Sequence, residues 1–246
     1  MKRVLVFIAL VALFVSTASS QKTYALVCGV STYDDPMGYC PDLEFPAKGA
    51  KSMKKVYNKI GAVTVVLTSR YVVAEVVAEK LESIVKIAQP NDKIIFHFIG
   101  HGGAGNIYFY NGNAFSYSRL IAILSKAKTD KVFCIIDACE SGSAIRTATA
   151  EYEDLKGAKP AFLMACRANE NTGELVALAS PIFTFAVAKG LRGRADIDNN
   201  RQVTFMELFR YVHSDMVNRG QSLGLNLHPQ LLGNSHLFDT VISKIK

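Results

Sequence analysis

The fold of this chain is indicated most clearly by two apolar segments, Lys93-Ile-Ile-Phe-His-Phe-Ile-Gly100 and Lys131-Val-Phe-Cys-Ile-Ile-Asp137. Both are short, almost continuously apolar and rich in branched residues, which is typical of strands that are covered on both faces of a sheet. Three further segments have the same character: Tyr24 to Val30, Ala62 to Leu67 and Ala161 to Cys166. We therefore predict five buried strands.

Helical patterns separate these strands. Apolar residues from Val73 to Ala88 recur at helical spacing, and the segments Ser116 to Lys126 and Pro181 to Leu191 are similar. Thr204 and Glu207 have the spacing of a capping box, which begins a further helix. Strands that alternate with helices predict an α/β fold, with a mostly parallel central sheet and helices on both of its faces.

The first twenty residues have the pattern of a secretory signal peptide. Lys2 and Arg3 precede an apolar run from Val4 to Val15, and small residues follow up to Ser20. The run is too short for a stable membrane anchor. We therefore expect residues 1–20 to be removed and residues 21–246 to form a single domain. That domain is expected to be secreted, or lumenal or vacuolar through the secretory pathway, with no membrane attachment after cleavage.

Composition excludes several classes of protein. The chain has 246 residues, of which 50% are hydrophobic and 20% charged, and this excludes a disordered chain. Five cysteines are too few for a disulfide scaffold of this size. The net charge of +7 becomes +5 when Lys2 and Arg3 leave with the signal peptide. The remaining Lys and Arg are dispersed, so we expect no nucleic-acid partner. The oligomeric state stays open.

Two of the predicted strands end in residues that carry chemistry. The third strand ends in Gly100-His101-Gly102-Gly103, and the fourth ends in Asp137-Ala-Cys139-Glu-Ser-Gly-Ser143. Because functional sites of open α/β sheets form at the carboxyl ends of strands, His101 and Cys139 are expected to be neighbours. A thiol nucleophile needs such an imidazole, which takes its proton. The small residues that follow would let backbone N–H groups approach a developing oxyanion.

This pair of strand endings resembles the clan of cysteine peptidases that contains caspases, metacaspases and legumains. The second ending is most similar to that of legumains, whereas Ala165-Cys-Arg-Ala-Asn169 and the segment from Phe183 to Asp196 resemble the bacterial and protist caspase-like branch. The resemblance covers roughly residues 23 to 215. It implies a caspase-like three-layer sandwich and a cysteine endopeptidase that acts on peptide or protein substrates.

The resemblance also implies roles for individual residues. Cys139 would be the nucleophile and His101 the general base, and the backbone N–H groups of Gly102 and Cys139 would form the oxyanion hole. Asp137 would line the pocket for the substrate residue that precedes the cleaved bond. No cofactor and no catalytic metal are implied. Two alternatives stay open: a catalytically inactive caspase-like binding or signalling module, and a legumain-like transpeptidase.

The chain departs from its relatives at the positions that set specificity. Metacaspases carry additional acidic residues where this chain has Gly49 and Ala168, so a preference for Arg or Lys loses support. Asp34, Asp35 and Glu170 are alternative acids that could reach the pocket. The sequence leaves the preferred substrate residue open among Arg or Lys, Asn and Asp.

Two further segments suggest regulation or metal binding. The stretch Gly142 to Pro160, rich in small and charged residues, is interpreted as a linker where relatives are often cut, with Arg146, Lys156 and Lys159 as candidate self-cleavage points. An exposed, uncut loop is an equal alternative. Asp196, Asp198, Asn200 and Glu207 have the spacing of an EF-hand calcium loop. Arg201 stands where that loop needs glycine, so calcium binding is a weak hypothesis.

Overall fold

The computed structural model describes residues 20–167, 174–175 and 180–245. A six-stranded sheet forms the centre, in the order β12-β8-β7-β3-β1-β2. Its five parallel strands are the five that the sequence predicts, and β12 pairs antiparallel with β8 at one edge. The predicted burial is wrong for β2, which lies at the opposite edge and buries only Ala62. The strands are β1 (Thr23–Gly29), β2 (Ala62–Thr68), β3 (Lys93–Ile99), β7 (Val132–Asp137), β8 (Ala161–Met164) and β12 (Gln230–Leu232).

The remaining strands form three small sheets. β4 (Gly102–Gly103), β5 (Asn106–Tyr108) and β6 (Ala114–Ser116) form an antiparallel sheet that begins directly after His101. The other two sheets are the pairs β9 (Glu174–Leu175) with β10 (Ser180–Pro181), and β11 (Gln202–Thr204) with β13 (Val241–Lys244). The first of these sheets therefore extends the loop that carries the candidate general base.

Helices cover both faces of the central sheet, which confirms the predicted α/β sandwich. They are α1 (Pro46–Lys59), α2 (Ala74–Ile87), α3 (Tyr117–Leu124), α4 (Ala144–Asp154), α5 (Ile182–Lys189), α6 (Phe205–Leu223) and α7 (Ser235–Phe238). One hydrophobic cluster joins α2, α3 and α4 to the sheet, and the other joins α1, α5 and α6. We call these the α4 face and the α5 face.

The two faces follow from the alternation of side chains along each strand. In β7, Cys134 and Ile136 enter the cluster of the α4 face, whereas Phe133 and Ile135 enter that of the α5 face. All residues of β3 and β7 are buried. Continuously apolar strands in the middle of the sheet are therefore explained by helices on both sides.

The linker interpretation of Gly142 to Pro160 is wrong for most of that stretch. Residues Ala144–Asp154 form the helix α4, which buries Ala144 and Ala148 against the sheet. A helix with only two small buried residues has little apolar periodicity, which explains the error. Residues 1–19 of the expected signal peptide lie outside the described residues. None of the described helices is both long and apolar enough to cross a membrane.

Candidate active site

The candidate nucleophile and the candidate base follow two adjacent parallel strands in matching positions. β3 and β7 pair so that Ile99 lies opposite Asp137, and the N–H of Gly100 continues the ladder by donating to the Asp137 carbonyl at 3.0 Å. His101 and Cys139 therefore each lie two residues beyond one paired position. Neighbouring strands are separated by about 4.8 Å, so the loops that carry the two residues leave the sheet side by side.

Gly102 brings the two loops into direct contact. A Cβ atom at Gly102 would lie 2.7 Å from the carbonyl oxygen of Cys139 and 2.8 Å from the Cβ of Ala138. Only glycine allows the backbones to approach this closely. Because the N–H of Tyr108 donates to the His101 carbonyl, the alternation of the antiparallel ladder directs the N–H of Gly102 away from β5. The ladder between β4 and β5 therefore does not use the Gly102 N–H, and the role of this N–H as an oxyanion donor stays a prediction.

A loop that precedes α1 holds His101. The hydroxyl of Tyr33 accepts a hydrogen bond from the His101 backbone N–H at 2.9 Å, and the rings of the two residues lie 4.9 Å apart. The Nε2 of His101 lies 2.7 Å from the Pro41 carbonyl oxygen. Because a carbonyl only accepts, Nε2 carries hydrogen, and in the neutral ring Nδ1 keeps the lone pair. Sequence reasoning missed both Tyr33 and Pro41.

Acidic side chains hold this loop in shape. Asp42 accepts a hydrogen bond from the N–H of Tyr33 at 2.8 Å. Asp35 accepts from the backbone N–H groups of Met37 and Cys40, and the bond from Cys40 is the main reason that the pKa of Asp35 is lowered. Asp35 therefore organises the turn that leads to Pro41. Glu170, another alternative acid, lies outside the described residues, as does Ala168.

The segment after Cys139 reverses the chain within a few residues. Glu140 adopts the left-handed conformation, with φ 51° and ψ 21°, and a short 3₁₀ turn follows at Ser141–Ser143. A non-glycine residue in this conformation costs about 1 kcal/mol and is found preferentially at functional sites. The hydroxyl of Ser143 accepts from the N–H of Gly105 at 2.9 Å. The two loops that carry the candidate base and nucleophile are thereby tied to each other.

Asp137 is buried and directs its carboxylate toward the α5 face. Its Oδ2 accepts from the backbone N–H of Thr184 at 2.9 Å and from the Thr184 hydroxyl at 2.6 Å. Thr184 belongs to the first turn of α5, where backbone N–H groups lack helical partners. The carboxylate therefore anchors the start of α5 beside the candidate nucleophile. A direct contact with substrate stays a prediction. No pattern in the sequence pointed to Thr184.

A chain of hydrogen bonds continues from Asp137 into the core. The Thr184 hydroxyl hydrogen goes to Asp137, so Thr184 Oγ1 accepts from His97 Nε2 at 3.5 Å, and His97 Nδ1 accepts from the Tyr57 hydroxyl at 3.0 Å. His97 is fully buried, and burial lowers its pKa to about 3. It is thus a neutral core histidine, as the sequence indicated, and is distinct from His101.

Cys139 differs from the other four cysteines in its exposure to solvent. Cys28, Cys40, Cys134 and Cys166 are buried, whereas Cys139 is partly exposed. Burial raises the pKa of Cys28 and Cys134 well above the usual range, and it raises the pKa of Cys166 to about 11. Burial also raises the pKa of Cys40, with a smaller contribution from Asp35. These thiols are protonated at neutral pH and are poor nucleophiles.

The EF-hand-like segment brings three carboxylates together far along the chain from the strand ends. Ligand atoms of Asp196, Asp198 and Glu207 lie within 4.8 Å of one another. Arg201 occupies the glycine position and adopts the required left-handed conformation, with φ 62°. Glu207 also completes the capping box with Thr204 at the start of α6, as the sequence predicted. Calcium binding stays a hypothesis.

Comparisons with known proteins agree with the fold and with the resemblance to caspase-clan cysteine peptidases. Residues 54–155, which include His101 and Cys139, match the model of the Peptidase C13 family, the legumain family of caspase-clan cysteine peptidases. The crystal structure of protein GSU0716 from Geobacter sulfurreducens is similar over 92% of this chain and 100% of that chain, with a TM-score of 0.66 and 17% identity. No curated protein matches the chain.

These matches confirm two of the predictions made from the sequence. The resemblance to caspase-clan cysteine peptidases is confirmed by the family match, and the caspase-like α/β sandwich is confirmed by the similar structure. The family match also indicates a function of the cysteine-peptidase type, with peptides or proteins as substrates. At 17% identity the similar structure supports the fold alone.

Proposed function

We propose that this protein is a cysteine endopeptidase that hydrolyses peptide bonds through Cys139 and His101 by way of an acyl-enzyme. One observation carries the proposal: a partly exposed cysteine and a histidine with a fixed tautomer follow adjacent, paired strands of the sheet. A nucleophile and a base at neighbouring strand ends form the arrangement that thiol catalysis requires.

The first half of the reaction acylates the enzyme. Nδ1 of His101 takes the proton of the Cys139 thiol, and Sγ attacks the carbonyl carbon of the scissile peptide bond. The carbonyl oxygen becomes an oxyanion, which the N–H groups of Gly102 and Cys139 stabilise. The carbon–nitrogen bond then breaks as His101 returns its proton to the leaving amine. The Pro41 carbonyl stabilises the transient imidazolium, because it accepts from Nε2 in both protonation states.

The second half of the reaction restores the enzyme. A water molecule gives one proton to Nδ1 of His101 and adds to the acyl carbon, and the carbon–sulfur bond breaks. The substrate leaves with a new carboxyl group, and His101 returns the proton to the Cys139 sulfur. Every proton in this cycle passes through one nitrogen, so the fixed tautomer of His101 supports both halves.

Asp137 is proposed to form the wall of the pocket for the residue that precedes the cleaved bond. Its buried carboxylate, two residues before Cys139, favours a substrate side chain that donates hydrogen bonds, such as Asn, Lys or Arg. Thr184 already supplies two donors to this carboxylate. A carboxylate oxygen accepts more than one hydrogen bond, so these donors are compatible with a substrate contact.

Residues 1–20 are proposed to act as a signal peptide that directs the enzyme to a secreted or lumenal location. The basic start, the apolar run and the small residues near Ser20 support this proposal. Terminal sequencing of the protein recovered from a secreting host is expected to give Gln21 as the first residue. Recovery of a cell-retained chain that begins at Met1 would contradict the proposal.

A peptide-library cleavage profile tests the enzymatic proposal. The wild type is expected to cut peptides with a defined preference before the scissile bond, whereas Cys139→Ala is expected to cut none. Cys134→Ala is the matched control, because it removes a thiol from β7, the strand that precedes Cys139, and leaves Cys139 intact. Equal cleavage by Cys139→Ala refutes the mechanism. A folded wild type that cuts no peptide instead favours the inactive binding module.

A further inference from the structure

A basic cleft lies beside the loop that follows Cys139. Its volume is about 510 Å³. Its walls come from the turn after β4, the start of α4, the end of β8 and the edge strand β12, and include Ala104, Ser143, Ile145, Arg146, Arg167 and Gln230. The two charged residues in this group are both arginines. The cleft therefore presents positive charge close to the candidate nucleophile.

The cleft and Asp137 lie on opposite faces of the sheet. The Asp137 carboxylate points to Thr184 of α5, whereas the cleft is bounded by the first turn of α4, whose Ala144 packs in the cluster of the α4 face. Cys139 follows β7 between these faces. A substrate whose residue before the scissile bond lies against Asp137 and whose chain crosses Cys139 to the other face would place the residues after that bond in the cleft.

Arg146 is available to bind a ligand. It is exposed, and the helix positions three and four residues away hold Gly142, Ser143, Thr149 and Ala150, none of which is acidic. Across residues 20–167, 174–175 and 180–245, no side chain forms an ion pair or hydrogen bond with its guanidinium. Arg167 is also exposed and lies three residues beyond the end of β8.

We propose that this cleft is a subsite for a carboxylate on the leaving side of the substrate. The carboxylate belongs either to an Asp or Glu side chain shortly after the scissile bond or to the free carboxyl terminus of a short peptide. Arginine recognises a carboxylate through a planar pair of donors, which lysine lacks. The proposal rests on the proposed peptidase function, because it assigns one end of the substrate to the cleft.

Matched peptides test the subsite. The best-cleaved library sequence is prepared with Glu, Gln or Lys at the first and second positions after the scissile bond, each with a free or an amidated carboxyl terminus. For the wild type, we expect kcat/KM to be about fivefold higher with Glu than with Gln, the effect of one partly exposed ion pair, and lower still with Lys. A gain confined to free-acid peptides assigns the site to the carboxyl terminus instead of a side chain.

Charge reversal at Arg146 distinguishes an effect on the carboxylate preference from an effect on catalysis itself. Arg146→Glu is expected to abolish the preference for Glu and to favour Lys, while the Gln amide peptide is cut at the wild-type rate. Arg210→Glu, which reverses an exposed charge on α6, is the control and is expected to keep the preference. An unchanged Glu preference in Arg146→Glu overturns the subsite. A wild type that cuts no peptide overturns the peptidase function itself.

Discussion

The Nε2 atom of His101 lies 2.7 Å from the carbonyl oxygen of Pro41, a residue sixty positions earlier in the chain. The same loop supplies the Tyr33 hydroxyl, which accepts from the His101 backbone N–H. The side chain and the backbone of the candidate base are thus held by one segment between β1 and α1. The orientation of His101 depends on this loop as much as on the strand that precedes it.

Tyr33→Phe is expected to reduce kcat about tenfold while the fold is retained. The substitution keeps the aromatic ring but leaves the His101 N–H without its acceptor, which costs about 1 kcal/mol in the positioning of the base. Steady-state kinetics and thermal unfolding measure the two effects. Tyr39→Phe is the control, because Tyr39 is 79% exposed on the same loop. Equal kcat values for the Tyr33 variant and the wild type contradict the positioning role.

Gly102→Ala is expected to lower kcat about a hundredfold, the usual effect of a displacement of about 1 Å at a reaction centre. The added methyl group would lie 2.7 Å from the Cys139 carbonyl oxygen, so the two loops must separate. Circular dichroism is expected to stay native. In the control Gly61→Ala, the added methyl group meets no heavy atom within 4 Å, and the strain from the left-handed φ of 87° falls on the turn between α1 and β2. A Gly102 variant as active as that control refutes the close approach.

Thr184→Val is expected to lower the free energy of unfolding by about 2 kcal/mol, since it removes a hydrogen bond to a buried charged group. The hydroxyl of Thr184 is 2.6 Å from Asp137 and links that carboxylate to His97. Urea unfolding measures the loss. Thr184→Ser keeps the hydroxyl and is expected to recover most of the stability. If Ser and Val variants unfold at the same urea concentration, the hydroxyl contributes nothing.

His97 is expected to make the protein less stable in mild acid. Its pKa is about 3 in the folded protein against an ordinary value of 6.5, so the unfolded chain takes up the proton first as the pH falls. The stability that depends on neutral His97 is fully present above pH 6.5 and decreases progressively as the pH falls toward 3. Between about pH 7.5 and about pH 5.5 the loss is about 1 kcal/mol.

Urea titrations of the wild type and His97→Gln at these two pH values isolate this contribution. The variant has no imidazole to protonate, so its loss of stability over the same interval is expected to be smaller by that amount. Exposed His236, which pairs with Asp130, provides the control variant His236→Gln. An identical pH dependence in His97→Gln and the wild type shows that His97 does not titrate as proposed.

The sequence predicted the parts of the site that have a local signature. His101 and Cys139 each follow a continuously apolar strand and precede or lie near small residues, so their places at adjacent strand ends could be predicted from strand topology. Tyr33 and Pro41 have no such signature. One acts through a hydroxyl on a distant loop, and the other acts through a backbone carbonyl, which every residue possesses.

The sequence did not reveal three further features, for different physical reasons. Thr184 lies among apolar residues at the start of α5, and only the tertiary approach of Asp137 gives it a role. The helix α4 was interpreted as a linker because it packs through the small side chains of Ala144 and Ala148. The arginines of the basic cleft likewise come from α4 and from the end of β8, which the linear sequence separates.

Selective alkylation tests whether the Cys139 thiol is the catalytic nucleophile. The protein is treated with limiting iodoacetamide, and the modified fraction of each cysteine is measured by mass spectrometry together with residual peptidase activity. Because Cys139 is the partly exposed thiol and the other four are buried, we expect it to react first. Activity is expected to fall in proportion to the modified fraction of Cys139. Full activity after complete alkylation of Cys139 would contradict it.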